Sequence, residues 1–131
     1  MPKTIRQTIT FKATPHQVYE ALMDSRQHAK FTGAKASISR QVGGAFTAYD
    51  GALHGRNLEL VADSKIVQDW HCQEDGWPAD QYSKLTISLA EIPGGARLRM
   101  THSGVPEAYI DGIKSGWHTE YWDKMKATFG W

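Results

Sequence analysis

Histidines are the residues of this sequence best suited to acid-base or ligand chemistry, and His102 has the most informative position among the six. Side chains two residues apart in a strand point to the same side, so His102 shares the side of Leu98 and Met100. An inward histidine near a strand end can bind a ligand or move a proton. It can also be a hydrogen-bonded structural residue at the rim of the core, which is the interpretation we favour.

Other catalytic and metal-binding patterns fit the sequence poorly. Residues 101–104 place a serine after His102 but lack the flanking glycine of the G-x-S-x-G motif, and no glycine-rich phosphate-binding motif is present. His71 and Cys72 point to opposite faces if they share a strand. His118, with Glu120 and Asp123, forms a polar helix face. We therefore expect no catalytic residue, no metal site and no cofactor.

A cyclase or hydrolase would need an acid that converges with His102 inside the molecule. Asp69 and Glu59 are the candidate acids in neighbouring strand-like segments. Strand alternation places Asp69 on the face opposite Trp70, which disfavours this arrangement. The sequence therefore predicts that the protein is not an enzyme.

Aromatic residues are abundant for this chain length and can form a core, line a pocket or anchor a partner. If a cavity for a small hydrophobic ligand exists, we expect it to be lined by Phe46, Trp70, Tyr82, Met100, His102, Trp117 and Tyr121. Trp77 lies in a loop and Trp131 at the end of the sequence, where less core is available to bury them. These two tryptophans are therefore candidates for a partner-binding surface.

Composition limits the function classes. The chain has 131 residues and a net charge of +1, so it has no basic excess for general nucleic-acid binding. One cysteine, Cys72, cannot form an internal disulfide, and no apolar run is long enough to cross a bilayer. We expect a cytoplasmic protein that has no membrane span and does not bind nucleic acid.

The elements that position these residues follow from periodicity. Residues 4–12 alternate as a strand with one wet face, and Thr14, Pro15 and Gln17 form a helix-start signature. Ser25 can cap a second short helix that Gly33 ends. Short β-like runs separated by turn signals occupy residues 36–103, and apolar residues at helical spacing follow from Pro106 to about Phe129.

This order predicts an α+β fold. An antiparallel sheet of about six or seven strands should wrap around one long C-terminal helix, with two short helices after strand one. Imperfect packing of the helix against the concave face would leave a cavity there.

The chain also resembles the C-terminal-type domain of the activators of the 90-kDa heat-shock protein ATPase, in the START-like (SRPBCC) superfamily. The resemblance runs along nearly the whole chain, and no one of its motifs is specific alone. It is carried by residues 13–15, Val18-Tyr19, residues 31–34, Gly43-Gly44-x-Phe46, Asp50-Gly51, Gly55, Leu58, Ile66-Val67, Trp70, Trp77-Pro78, residues 85–87, 98–100 and 104–106, Gly116-Trp117, Tyr121 and residues 126–131.

The resemblance implies a helix-grip fold, with residues 1–131 as a single START-like domain. It also implies a non-catalytic accessory protein that binds and modulates a heat-shock chaperone ATPase. In the eukaryotic activators this type of domain is joined to a separate N-terminal domain that provides much of the chaperone contact. Other members of the superfamily bind small molecules or lipids, so a hydrophobic ligand in the cavity between sheet and helix is the alternative.

Overall fold

The computed structural model of the protein describes residues 3–72, 77–78 and 81–131. Within these residues, antiparallel strands form one curved sheet in the order β1-β7-β6-β5-β4-β3-β2. The strands are β1 Lys3–Phe11, β2 Ser37–Ile38, β3 Ala45–Ala48, β4 Leu53–Val61, β5 Lys65–Cys72, β6 Ser83–Ile92 and β7 Gly95–Val105. The helices are α1 Pro15–Met23, α2 Ser25–Thr32, α3 Ile110–Gly116 and α4 Asp123–Phe129. The predicted α+β arrangement is confirmed.

The alternation of β1, an edge strand of the sheet, places one of its faces on the core and the other in solvent. Ile5 and Phe11 are buried on the concave face, whereas the hydroxyl and basic side chains of the other parity, such as Arg6 and Thr8, are exposed. β1 pairs along its length with β7, with Thr8 opposite Arg99. A strand with one apolar and one polar face thus closes one side of the core.

The two short helices begin at side-chain caps. Thr14 accepts a hydrogen bond from the Gln17 amide, and the Gln17 side chain accepts one from the Thr14 amide, which confirms the capping box. The cap of α2 is Asp24 and not Ser25 as the sequence predicted, because the Asp24 carboxylate accepts hydrogen bonds from the amides of residues 26 and 27. Gly33 ends α2 in the left-handed region, with φ of 76°.

The β4–β5 hairpin contains an irregularity that resets which side chains face inward. Buried positions alternate up to Asn57, the pairing register shifts between Asn57 and Glu59, and after the shift Leu60 is the residue packed against the core. The Gln68 amide of β5 donates to the Asn57 side-chain oxygen at 2.9 Å. The Asn57 amide in turn donates to the Ser39 and Gln41 carbonyls, which ties β4 to the loop between β2 and β3.

The C-terminal helix is long, as predicted, but it is not one regular α-helix. A short 3-10 turn, Glu107–Tyr109, leads into α3, and a π-helical turn, Trp117–Trp122, joins α3 to α4. A π turn inserts about one extra residue per turn, so it rotates the following residues relative to an α-helix. This rotation lets Trp117, Tyr121 and Trp122 all be buried against the sheet.

The core lies between the concave face of the sheet and this helix. Its largest fully buried side chains include Phe11, Met23, Met100, Trp122 and Met125, which come from both layers. In the part of the chain described here, no helix combines the length and apolar character needed for a membrane crossing.

Candidate functional site

The interior between the sheet and the C-terminal helix is almost completely filled. A small cavity there measures about 20 Å³, which is room for a single water molecule. It is lined by Leu22, Met23, His28, Ile38, Phe46, Ile66, Gln68, Trp70, Leu85, Ile87, Trp117 and Tyr121. Sites for drug-sized ligands begin at roughly 300 Å³, so this cavity is too small for one.

A larger pocket of about 350 Å³ opens at the end of this interior, between the sheet and α3. Its walls are mostly apolar, with Trp70 and Trp117 at a ring-centroid distance of 5.3 Å. The residues that line it are Tyr49, Ala52, Leu53, Trp70, Cys72, Gly112, Ile113, Gly116, Trp117, Glu120 and Tyr121. The pocket has the size and apolar character of a small-ligand site.

Two glycines of α3 leave the space for this pocket. Gly112 and Gly116 are four residues apart, so they occupy one face of the helix. A Cβ atom added at either position would meet no heavy atom within 4 Å. The pocket therefore exists partly because these two positions carry no side chain.

Polar groups are found at the rim of the pocket. The Tyr49 hydroxyl donates to the Glu120 carbonyl at 2.6 Å, and burial raises the pKa of Tyr49. Lys124 approaches the Glu120 carboxylate at 2.6 Å, and its hydrogen bond lowers the pKa of that carboxyl. The rim thus presents a carboxylate that is already paired with a cation.

His102 is held in a buried hydrogen-bond chain. The Trp117 indole N–H donates to His102 Nδ1 at 3.1 Å, so the proton of the neutral imidazole is assigned to Nε2. Nε2–H then donates to Ser83 Oγ at 2.7 Å, and the Ser83 hydroxyl donates to the Trp70 carbonyl at 3.1 Å. Burial lowers the pKa of His102 to about 4. Both ring nitrogens are occupied, which is the arrangement of a structural histidine.

His28 forms a second buried bridge on the other side of Tyr121. Its Nδ1 is 3.1 Å from the Leu22 carbonyl, so this nitrogen donates, and Nε2 accepts from the Tyr121 hydroxyl at 3.1 Å. Burial lowers the pKa of His28 and raises that of Tyr121. Neutral forms are favoured throughout this interior, because charged forms would lose their hydration.

Some of the residues predicted to line a cavity do lie around one in the structure. Trp70, Trp117 and Tyr121 line both the small cavity and the larger pocket, and Phe46 lines the small cavity. Met100 and His102 are packed in the core and line neither space. For these two residues the cavity prediction is wrong, because neighbouring side chains and the hydrogen-bond chain enclose them completely.

Tyr82 does not face the interior at all. Its side chain is 45% exposed, and its ring contacts His54 and His71 on the opposite face of the sheet. Alternation explains this correction, since Ser83 and Leu85 are the inward residues at this end of β6 and Tyr82 has the other parity.

The two candidate partner-surface tryptophans have different environments. Trp77 is buried, with its ring 5.5 Å from that of Tyr109 and its indole N–H donating to the Gln81 carbonyl. The expectation of an exposed loop tryptophan is therefore wrong, because the sheet and the 3-10 turn offer the ring a place to pack. Trp131 is half-buried and stacks on Phe129 at 4.7 Å.

The family model of the "Activator of Hsp90 ATPase homolog 1-like protein" matches residues 12–130, which is nearly the whole chain. The chain belongs to this family. The predicted family resemblance is thereby confirmed, and it accounts for the turn glycines and core aromatic residues on which it was based.

Curated relatives in the family are longer proteins. The mouse activator of 90 kDa heat shock protein ATPase homolog 2 is 28% identical over 119 residues, which is 91% of this chain but 35% of the relative. Human activator homolog 1 is 28% identical over 122 residues, covering 93% of this chain and 36% of the relative. The chain thus spans about a third of the length of these curated relatives.

Solved structures confirm the helix-grip fold of the family. An Hsp90 activator from Plasmodium falciparum superposes with a TM-score of 0.90 at 22% identity, covering 97% of this chain and 96% of that one. A protein from Chromobacterium violaceum superposes with a TM-score of 0.80 at 29% identity, with 98% of each chain covered. Both extend over almost the full length of the chain.

Several buried polar residues of this family member were missed from the sequence. Ser83 shares the parity of Leu85, so alternation alone indicated that it points inward. His28 and Gln68 gave no comparable signal, because their partners, Tyr121 and Asn57, are distant in the sequence. Such pairs become visible only when the sheet and helices are assembled.

One surface group could hold a metal ion among the residues described. Ligand atoms of His16, Glu20 and Asp63 lie within 4.8 Å of one another, at the start of α1 and the β4–β5 turn. Each is already engaged, since His16 is 2.9 Å from Asp63 and Glu20 pairs with Arg40. The arrangement serves as one hydrogen bond and one ion pair that join α1 to its surroundings.

Proposed function

We propose that residues 1–131 act as a single non-catalytic domain that binds a 90-kDa heat-shock chaperone and modulates its ATPase. The observation that carries this proposal is the family match over residues 12–130. Curated relatives at 28% identity are named activators of that ATPase, and the match covers more than nine-tenths of this chain. The match covers about a third of the length of these relatives, so the proposal concerns the domain that this chain shares with them.

The state of the buried polar groups supports a non-catalytic role. A general base must be free to take a proton from a substrate, whereas both nitrogens of His102 are engaged and its pKa is about 4. Ser83 is within reach of this histidine, but its hydroxyl hydrogen is directed to the Trp70 carbonyl. Asp69 lies on the outer face, where its carboxylate accepts a hydrogen bond from the Arg56 amide. No acid joins His102 from that position.

A binding protein can modulate an ATPase without doing chemistry. It must bind the hydrolysis-competent conformation of the chaperone more tightly than the others, and the difference in affinity sets the shift in population. A rigid domain suits this task, because little conformational entropy is lost when it binds. The nearly filled core of this chain provides such rigidity.

The test is to titrate the purified protein into the 90-kDa chaperone of the same organism and measure ATP hydrolysis and binding in parallel. We expect saturable binding by calorimetry and a change in the ATPase rate that follows the same titration. An ATP-competitive inhibitor of the chaperone subtracts contaminating hydrolysis. Absence of binding and of any rate change would reject the proposal.

The pocket of about 350 Å³ supports an alternative function, the binding of a small hydrophobic ligand. A planar apolar molecule would contact the aromatic walls formed by Trp70, Trp117 and Tyr121. The polar rim at Tyr49 and Glu120 would orient it. Pockets of this kind typically bury most of the ligand surface against apolar side chains and fix its orientation with a few polar groups.

Native mass spectrometry of the protein purified from its own host tests this alternative. The expected result is a stoichiometric apolar molecule that is released on gentle denaturation. Gly116→Leu should abolish this binding, since the new side chain would fill the pocket, and Gly116→Ala is the matched control with minimal filling. Binding of a hydrophobic dye to the wild type and to Gly116→Leu is compared as a second readout. If the purified protein carries no ligand, and the dye does not bind the wild type more tightly than Gly116→Leu, the ligand-binding alternative is rejected.

A further inference from the structure

The outer face of the sheet carries a cluster of arginines on the strands farthest from the β2 edge. Arg6 of β1 and Arg97 and Arg99 of β7 are exposed on this face, opposite the buried Leu98 and Met100. We call these three residues and their hydroxyl neighbours the arginine face. It belongs to the convex side of the sheet, away from the helices and the pocket.

The cross-strand partners of these arginines are uncharged. Arg99 lies opposite Thr8 on one side and Ser88 on the other, and Arg6 lies opposite Thr101. Arg97 lies opposite Thr10 and Ala90. Within the described residues, none of the three arginines takes part in a salt bridge.

The charges of these arginines are not compensated by their cross-strand neighbours. An opposite-charge pair across two strands typically stabilises a sheet, and none of the three arginines has an acidic residue directly opposite. The chain has 14 acidic residues, nearly as many as its 15 lysines and arginines, so acidic partners are available in the sequence. On the same face, Asp69 of β5, two strands away from β7, lies opposite Lys84 of β6 as an opposite-charge pair. The three exposed arginines are therefore accessible to a partner from outside the chain.

We propose that the arginine face binds an acidic polypeptide segment of the partner protein. Arg97 and Arg99 are two residues apart on one strand, a spacing of about 7 Å. Carboxylates at alternate positions of an extended segment have the same spacing, and each can take a bidentate bond from a guanidinium group. Arg6 is diagonal to Arg99 across the β1–β7 pair, so its guanidinium group can bind a third carboxylate of the same segment.

Other anionic partners fit this face less well. Single-stranded nucleic acid is held through bases stacked on aromatic rings, and the cross-strand neighbours of the arginines are threonine, serine and alanine. A membrane surface favours large apolar side chains beside the cations, and none of these neighbours is one. Guanidinium groups form bidentate hydrogen bonds with carboxylates, which an acidic protein segment supplies.

This inference rests on the proposed function only for the identity of the partner, the 90-kDa chaperone. The test uses the double variant Arg97→Glu/Arg99→Glu. Its matched control is Arg26→Glu/Lys114→Glu, which makes the same change in net charge at exposed helical positions. Arg97→Gln/Arg99→Gln replaces the first variant if charge reversal prevents folding, which near-ultraviolet circular dichroism reports.

Binding is measured to a fluorescein-labelled oligo-glutamate peptide and to the chaperone. We expect the arginine-face variant to weaken both interactions by about tenfold or more at low salt, and the control variant to change them little. Binding of oligo-glutamate by the wild type alone would still support the arginine face, while rejecting the chaperone role. Chaperone binding that is unchanged in the variant would overturn the arginine-face inference and leave the proposed function standing.

Two further probes decide the class of partner. A single-stranded oligonucleotide and anionic lipid vesicles are tested in the same assay. If either binds more tightly than oligo-glutamate and depends on Arg97 and Arg99, the assignment to an acidic polypeptide is overturned. Weaker binding of both probes supports it.

Discussion

Trp117 and Trp122 stack on each other although they are five residues apart in one helix. Their ring centroids are 5.1 Å apart and their planes differ by 14°. In a regular α-helix of 3.6 residues per turn, residues five apart point in clearly different directions. The π-helical turn brings them onto the same side, and Gln7 of β1 connects Trp122 of this turn to the backbone of α3 at Lys114.

Gln7 is predicted to stabilise the π turn. Its amide donates to the Lys114 carbonyl at 2.9 Å, and its oxygen accepts from the Trp122 indole N–H at 2.7 Å. Gln7→Ala would remove both hydrogen bonds, so we expect a loss of about 1 to 3 kcal/mol in the free energy of unfolding. Urea denaturation measures this loss. Thr8→Ala, at the neighbouring exposed position of β1, is the control and should change stability by less than about 0.5 kcal/mol.

Stability should fall in mild acid because of His102. Its pKa is lowered from 6.5 to about 4 in the folded protein by burial, so between these values the unfolded chain binds a proton that the folded protein does not. The stabilising effect of the neutral form is complete above pH 6.5 and is lost as the pH falls toward 4, at a cost of about 3 kcal/mol. His28 has a pKa shift in the same direction.

His102→Gln keeps a donor and an acceptor near Trp117 and Ser83 but removes the titration. The slope of the unfolding free energy against pH reports the number of protons taken up on unfolding. Between pH 6.5 and 4 we expect this number to be smaller by about one in His102→Gln than in the wild type. Urea unfolding at a series of pH values measures this slope. His118→Gln is the control, because it removes an exposed histidine and should leave the slope nearly unchanged. An unchanged slope in His102→Gln would contradict the prediction.

Two glycines should respond in opposite ways to alanine. Gly116 has helical φ of −60°, and a Cβ there meets nothing within 4 Å, so Gly116→Ala should stabilise by about 0.5 to 1 kcal/mol. A Cβ at Gly55 would collide with the Asp69 carbonyl oxygen, so Gly55→Ala should destabilise by about 2 kcal/mol or more. Thermal unfolding of both variants tests this contrast, and equal effects would refute it.

The capping box of α1 should also be measurable. Thr14→Ala removes the acceptor for the Gln17 amide, and the expected loss is about 1 kcal/mol. Thr14→Ser keeps a hydroxyl in the same place and should recover most of that loss. Chemical denaturation of the two variants side by side is sufficient, and a Thr14→Ser protein as weak as Thr14→Ala would contradict the capping role.

Local sequence signals were enough for much of the fold. The alternation in residues 4–12 corresponds to β1 at Lys3–Phe11, and Thr14, Pro15 and Gln17 identified the start of α1. The apolar repeat after Pro106 marked the C-terminal helix, and Gly130 ends it in the left-handed region with φ of 76°. These features depend on neighbours within a few residues, which the sequence displays directly.

The packing of side chains was decided by tertiary structure. Whether a cavity remained could not be read from the sequence, since it depends on how the large aromatic rings of helix and sheet interdigitate. Trp77 was expected at the surface but is buried against Tyr109, a residue 32 positions away that only the folded chain brings near. The role of His102 was likewise left open until Trp117 and Ser83 were seen on its two nitrogens.

The sequence by itself determined the order of the elements, the family and the alternation that exposes Arg6, Arg97 and Arg99 on one face of their strands. These follow from residue types at short, regular spacing. Only the tertiary structure decided that the arginines of β1 and β7 lie side by side, because that depends on strand register across about ninety residues of chain. The π turn, the pocket left by Gly112 and Gly116, and the neutral buried histidines arise for the same reason, from contacts between distant segments.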